Sequence, residues 1–405
     1  MGMLLYIDPG TGSMLFSLAV GVLSAAWFGA RALLMKAKYR TGGKADTNKK
    51  DIVIYGEDKR YWTTFKGILD EFERRQVKVT YLAGSADDPL LSQGYRYVET
   101  EVIGLGNKAY ARLNFLNARI VLATTPGLDV YQWKRSKGVD WYVKIPHALG
   151  SFTEYRLFGT EFYDALLGCT DSYDTMLREI ERKRGSKPKE LVTIGCTYMD
   201  YLWERRMSLQ EDSLHHGVHV LFAPSWGERS LLYRFGESFL DRLVETGFDI
   251  TFRPHPQSFI SDKELMNRLE AKYPETPLFH WDRNPDNFNA LRNAEVLISD
   301  FSSIVFDYAY VFERPVIYTE SSLDFSKTDQ AWVDEPSWTQ LVLPQIGVEL
   351  KESNFENIGA IVKELSGSDS YHEAIVNTRD QYWENRGHAA EKTVDYLLSK
   401  LKELS

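Results

Sequence analysis

Short β-rich runs alternate with longer helix-compatible stretches from residue 52 to residue 318, and no other property of the chain restricts its fold as strongly. The runs fall at 52–55, 77–82, 98–103, 120–123, 141–145 and 191–194. They resume at 218–222, 250–253, 278–281, 296–299 and 316–318. Between them, stretches such as 63–76, 174–184 and 235–246 repeat apolar residues at helical spacing. Strand–helix alternation of this length predicts an α/β chain with parallel sheets flanked by helices. At 405 residues the chain exceeds a typical single core. The polar stretch 208–217, which precedes a fresh strand, is the natural break. We therefore expect two Rossmann-like domains, 51–207 and 208–370, facing each other across a cleft. The helical pattern at 371–405 has no strand left to feed and is expected to pack back on the first domain.

Composition removes several function classes. A hydrophobic content of 43% with 26% charged residues describes a folded chain. The net charge of −9, with no basic aromatic stripe, argues against a nucleic-acid binder. A local cluster of Arg and His still suits an anionic substrate, because local potential can oppose the global sign. The two cysteines, Cys169 and Cys196, have no metal-ligand spacing around them and read as reduced and buried.

The first fifty residues form a separate object. From 14 to 35 the chain is apolar or small except for Arg31, long enough to span a bilayer once. Lys36, Lys38, Arg40, Lys44, Lys49 and Lys50 follow this run, while only Asp8 is charged before it. The positive-inside rule places the N-terminus outside and both domains in the cytoplasm. A cleaved signal peptide would carry its charges ahead of the apolar run. An interfacial helix docked on the folded domain is the other alternative to a single-span membrane anchor with a basic linker, residues 1–50.

Three segments in the second half end strands and begin turns, where open parallel sheets place ligands. At 220–230 a strand stops at Pro224, making Ser225 and Arg229 available to a ligand. In Arg253-Pro254-His255-Pro256 two prolines lock the backbone around an imidazole beside a guanidinium, a pair suited to phosphate oxygens. At 295–308 an apolar run ends in Ser299-Asp300, and Ser302-Ser303 follow at a helix start. Hydroxyls there either cap the helix or, with free N–H groups and the helix dipole, hold a phosphate. Asp307, one turn on, either reaches a substrate hydroxyl or pairs with a neighbour. Each segment alone has an ordinary structural explanation; three together favour one diphosphate site.

The segment Ser299-Asp300-Phe301-Ser302-Ser303-x-x-Phe306-Asp307, preceded by Arg253-Pro-His255-Pro256 and followed by Arg314-Pro315-Val316-Ile317-Tyr318, resembles the CDP-glycerol glycerophosphotransferase family of teichoic-acid primases and polymerases. Thr193–Asp200 resembles that family's Gly-x-Pro-x-x-Asp segment, with Thr197 where proline is usual. Lys144-Ile-Pro-His147-Ala-Leu-Gly150 stands where the family carries His-Gly-Thr-Pro. Gly227 stands where arginine is usual. The resemblance covers about residues 140–320. It implies a GT-B fold with an acceptor-side first domain and a nucleotide-binding second domain. It also implies a histidine base, for which His147 is the matching position, at the carboxyl end of a strand.

The implied reaction is attack of an acceptor hydroxyl on the β-phosphorus of CDP-glycerol, with CMP leaving. Arg253, His255, Ser302 and Ser303 would stabilise the developing charge. No Asp-x-Asp motif is present, so no metal or other cofactor is expected. The expected partners are a CDP-activated polyol, a lipid-linked or glycan acceptor, and the membrane. Two other readings stand beside this one: a GT-B glycosyltransferase using a nucleotide-sugar for surface polysaccharide, and a non-catalytic, membrane-bound nucleotide-binding scaffold of envelope assembly.

Overall fold

The computed structural model of the chain describes residues 48–209, 217–319 and 325–405, with a few isolated positions between 24 and 30. The apolar run 14–35, read above as a membrane anchor, lies outside the described residues apart from those few positions. Among the described residues no helix is long and apolar enough to cross a membrane.

Two wholly parallel sheets carry the architecture. The first contains β1 (Lys50–Gly56), β2 (Val79–Ala83), β3 (Val98–Val102), β4 (Asn117–Ala123), β5 (Gly138–Lys144), β6 (Ala165–Gly168) and β7 (Glu190–Thr193). Their spatial order is β3-β2-β1-β4-β5-β6-β7. The second contains β8 (His219–Phe222), β9 (Asp249–Phe252), β10 (Phe279–Trp281), β11 (Val296–Ser299), β12 (Val316–Thr319) and β13 (Gly347–Leu350), in the order β10-β9-β8-β11-β12-β13. In each sheet the winding direction reverses beside the first strand, between β1 and β4 and between β8 and β11. Such reversals open a crevice at the strands' carboxyl ends, the usual ligand position in doubly wound sheets. This is the α/β, GT-B-like arrangement of two Rossmann-like domains.

The strands form where apolar, β-branched and aromatic residues cluster, since both faces are covered. Val53, Ile54, Val121, Leu122 and Val143 are all fully buried. The pattern at 370–401 resolves into two helices, His372–Tyr382 and Ala389–Glu403, broken where Asn385 and Gly387 take positive φ values of 49° and 79°. Ala389, Val394 and Leu397 of the last helix pack with Phe65, Ile68 and Leu69 of the helix Trp62–Arg74 in the first domain's core. Cys169 and Cys196 are buried and free.

The two domains share one continuous core. A single cluster contains Met199 and Leu202 from the first domain together with Leu291, Val305 and Tyr308 from the second. A second clasp lies at 325–333. There Arg184 donates to Asp329 at 2.6 Å and Glu161 at 3.0 Å. Its guanidinium lies 4.5 Å from the Phe158 ring centroid and 4.6 Å from that of Trp332. The Arg184 and Asp329 side chains are 4% and 2% exposed, so this pair is desolvated. Removing one partner of such a pair leaves an uncompensated buried charge. Arg184→Met should therefore lower stability by about 3–5 kcal/mol, whereas Arg74→Met, at an exposed pair with Glu71, should cost under about 1 kcal/mol. Urea unfolding of the two variants side by side checks the ranking, and equal losses would disprove it.

Candidate active site

The β11 strand end is built around one carboxylate. Ser299 donates its hydroxyl to the carbonyl of Ala223 at 2.6 Å, tying β11 to β8. Asp300, 1% exposed, accepts the backbone N–H of Ser225 at 3.0 and 3.1 Å and that of Leu231 at 2.9 Å. The acid thus fixes the turn from Pro224 to Ser230 across the point where the sheet reverses. Burial pushes the Asp300 carboxyl up to about 6, against the pull of those N–H groups. Within the turn Gly227 has φ of +85°, a conformation that a side chain rarely adopts, which accounts for glycine at a position where arginine was the family expectation.

Beyond Asp300 the helix Ile304–Phe312 begins with Ser303 as its N-cap, and the Ser303 hydroxyl makes no capping bond. Ser302 Oγ reaches the N–H of Ile304 at 3.5 Å, a marginal contact. The N–H groups of Val305 and Phe306 bond the carbonyls of Ser302 and Ser303 at 3.2 and 3.0 Å. These two amides, expected to be free for a phosphate, are engaged locally.

A cavity of about 210 Å³ separates these serines from the first domain. One wall is the loop after β5, including His147, Phe152, Glu154 and Tyr155. The facing wall is Asp300–Ser303 with Val305 and Phe306, and Thr339, Gln340 and Leu343 of the helix Trp338–Ile346 also line it. The fold therefore brings His147 together with Asp300, Ser302 and Ser303. Ser225 is buried at the adjoining corner, and Arg229 is exposed on the same turn. Neither lines the cavity.

Arg253 and His255 stand at the end of β9, next to β8. Arg253 pairs with Asp282. The Nδ1 of His255 accepts the N–H of Gln257 at 3.1 Å, and its ring centroid lies 6.2 Å from that of Trp226. Burial, with Arg60 and Arg253 nearby, pushes His255 down to about 4. Asp307 sits elsewhere: it is 3% exposed and accepts a hydrogen bond from Tyr198 of the first domain at 3.1 Å. Tyr198 in turn accepts from Asn287 at 2.9 Å. Of the two roles considered for Asp307, the geometry displays the contact with a neighbour, across the domain junction.

His147 packs its ring 4.8 Å from that of Tyr61, and its Nδ1 is sealed from solvent without a hydrogen-bond partner. Burial, then the charges of Lys144 and Arg60, push it down to about 4, so the imidazole is neutral near pH 7. Lys144 is 0% exposed. Its ammonium donates to the carbonyl of Thr124 at 2.6 Å and lies 4.2 Å from the Tyr155 ring centroid. Burial pushes it down to about 7, opposed by Glu57.

Lys144, Arg60, Tyr61 and Glu154 had not been singled out as functional. A lone lysine inside the apolar run 141–145 was the one available signal. Arg60 and Glu154 acquire neighbours only through chain folding. Among the described residues no group of three or more His, Cys, Asp or Glu is placed to hold a metal ion.

The family described as CDP-Glycerol:Poly(glycerophosphate) glycerophosphotransferase matches residues 172–397. A search of curated proteins found no match. Among solved structures, the wall teichoic acid polymerase TagF soaked with CDPG is similar at a TM-score of 0.56 and 15% identity, covering 95% of this chain and 98% of that one. The S. aureus MnaA–UDP co-structure gives 0.57 and 12%, covering 88% and 97%. The Neisseria meningitidis UDP-GlcNAc 2-epimerase bound to UDP-GlcNAc gives 0.53 and 12%, covering 86% and 100%. At these identities the likeness is one of fold.

Two titrations test the electrostatics. Removing the Lys144 charge in Lys144→Met should raise the His147 titration midpoint seen by NMR, while Lys144→Arg should hold it low; an unmoved midpoint in Lys144→Met would reject the coupling. Burial also raises Asp307 to about 7. Folded Asp307 holds its proton more tightly than the unfolded chain does. Its contribution to stability is therefore complete below about pH 4 and is lost as pH rises through about 7. Relative to the wild type, Asp307→Asn should gain stability between pH 5 and pH 8 in urea unfolding.

Proposed function

This chain belongs to the CDP-glycerol:poly(glycerophosphate) glycerophosphotransferase family, and from that premise we propose that it moves glycerol phosphate, or a related polyol phosphate, from a CDP-activated donor to a hydroxyl of a lipid-linked or cell-envelope glycan. One observation carries the reading. A single cavity has a neutral imidazole from the first domain on one wall and the Ser302-Ser303 hydroxyls at a strand's carboxyl end on the other.

In this mechanism the donor's β-phosphate lies against Ser302 and Ser303. At about 210 Å³ the cavity is smaller than the roughly 300 Å³ at which sites for drug-sized ligands begin. It therefore suits the polyol phosphate end, with the nucleoside running outward along the ends of β8 and β9 past Trp226, His255 and Arg253. The acceptor hydroxyl attacks the β-phosphorus. A new O–P bond forms, the bridging O–P bond breaks, and CMP leaves. His147 takes the acceptor's proton. The doubly anionic diphosphate raises the imidazole from about 4 toward the range in which a base works well. Serine hydroxyls, His255 and Arg253 act as fixed donors toward the charge that builds on the phosphate oxygens. Asp300 does not touch the reacting atoms; it is a positioning residue that holds the Pro224 turn in register with the Ser302-Ser303 corner.

Membrane attachment through residues 1–50 belongs to the same proposal. A tether would hold the enzyme at the surface where a lipid-linked acceptor resides. The donor class is tested with a thermal-shift panel of CDP-glycerol, CDP-ribitol, UDP-GlcNAc and GDP-mannose, in which the CDP-polyols should raise the melting temperature most. His147→Ala should lower the rate of CMP release from CDP-glycerol in the presence of native membranes by about 10²–10⁴-fold, with the donor's thermal shift retained. Unchanged turnover in that variant would remove His147 as the base. A panel in which only a nucleotide-sugar stabilises the protein would redirect the donor assignment.

A further inference from the structure

Once the contacts within the protein are subtracted, the cavity retains a distinct set of hydrogen-bonding groups. Asp300 is spent on backbone amides of the Pro224 turn. The Thr339 hydroxyl is spent on Glu154, and Gln340 Oε1 accepts the backbone N–H of Ser337 at 3.3 Å. At the serine end the hydroxyls of Ser302 and Ser303 remain. At the other end two complementary groups remain: the amide Nε2 of Gln340, a donor, and the second oxygen of Glu154, an acceptor.

Glu154 is the unusual member. Its Oε1 accepts from both Ser337 and Thr339, at the start of the helix Trp338–Ile346, and among the described residues no bond falls on Oε2. Burial raises its carboxyl above the ordinary value, with the two hydroxyls opposing. Burying a carboxylate carries a desolvation penalty that an amide of the same shape does not. If the interdomain clasp were the whole purpose of this side chain, a neutral amide would accept the same two hydroxyls without that cost. A carboxylate locked through one oxygen, on a residue that lines the cavity, is a preorganised acceptor.

We propose that Glu154 reads the polyol of the donor: Oε2 accepts a hydrogen bond from a polyol hydroxyl while Gln340 Nε2 donates to a hydroxyl oxygen. This assignment rests on the CDP-polyol reading above and adds to it a specificity-determining residue from the first domain. Donors of the same length without the hydroxyls leave both groups desolvated and unpaired, which is how a polar site rejects such analogues.

Dissociation constants for CDP-glycerol and for a CDP-propyl analogue without the two free glycerol hydroxyls test it in the absence of acceptor. The wild type should favour CDP-glycerol by about tenfold to a hundredfold. Glu154→Gln preserves size and the Ser337 and Thr339 contacts but should lose most of that preference. Thr339→Val, which weakens the clasp and leaves the carboxylate, should keep it. A Glu154→Gln variant that weakens both donors equally, with the ratio intact, would overturn the assignment and leave Glu154 a clasp residue. If neither donor binds the wild type, the CDP-polyol reading falls, and the Glu154 assignment with it.

Discussion

The bond set of Asp300 is the constraint on which the site depends. One buried carboxylate holds the N–H groups of Ser225 and Leu231, and the neighbouring Ser299 hydroxyl holds Ala223. These bonds join two strand ends at the place where a doubly wound sheet parts to admit a ligand. Without them the Pro224 turn and the Ser302-Ser303 corner would be separate loops. With them they form one rigid edge, and rigidity at that edge is what a charge-stabilising site needs, since donors that must reorganise lose most of their effect.

A second requirement is that the other domain be held at the right distance. The continuous core, the Arg184–Asp329 pair and the clasp from Glu154 to Ser337 and Thr339 all cross the junction. Asp307 and Tyr198 add a polar bond inside the same junction. His147 therefore faces the second domain from a fixed position and not from a freely hinged one. The cavity is formed by both domains, and neither wall alone contains the groups proposed for proton transfer and for phosphate.

Much of this organisation was legible because it rests on local chemistry. Apolar β-rich runs and helical periodicity located most strands to within about two residues. Two strands were missed: Ala165–Gly168 and Gly347–Leu350, each of which contributes a four-residue strand to its sheet. The second-domain candidate residues stood out through punctuation, the prolines around His255 and the paired serines after a strand. What the sequence did not disclose was how the groups at each position are used. Ser299 and Asp300 looked like ligand contacts and are tied to backbone. Glu154 and Arg60 carry no signal in the sequence and stand near the cleft, because their partners are distant in the chain and chosen by tertiary packing alone. Lys144 lay within a segment already quoted, yet its burial follows only from the β4–β5 pairing and the Tyr155 ring above it.

The buried lysine also bears on how such a chain tolerates improvement. An ammonium sealed behind Tyr155, neutral histidines and several carboxyls raised by burial all sit around one cleft. Each is a group that an apolar or amide replacement would make easier to bury. A selection or design campaign that rewards thermal endurance alone would reach these positions early and return a tougher, idle protein. Gains that leave the proposed chemistry intact are to be sought away from this cleft, in the cores beneath the helices Trp62–Arg74 and Leu231–Glu245, at positions that touch neither Asp300 nor His147.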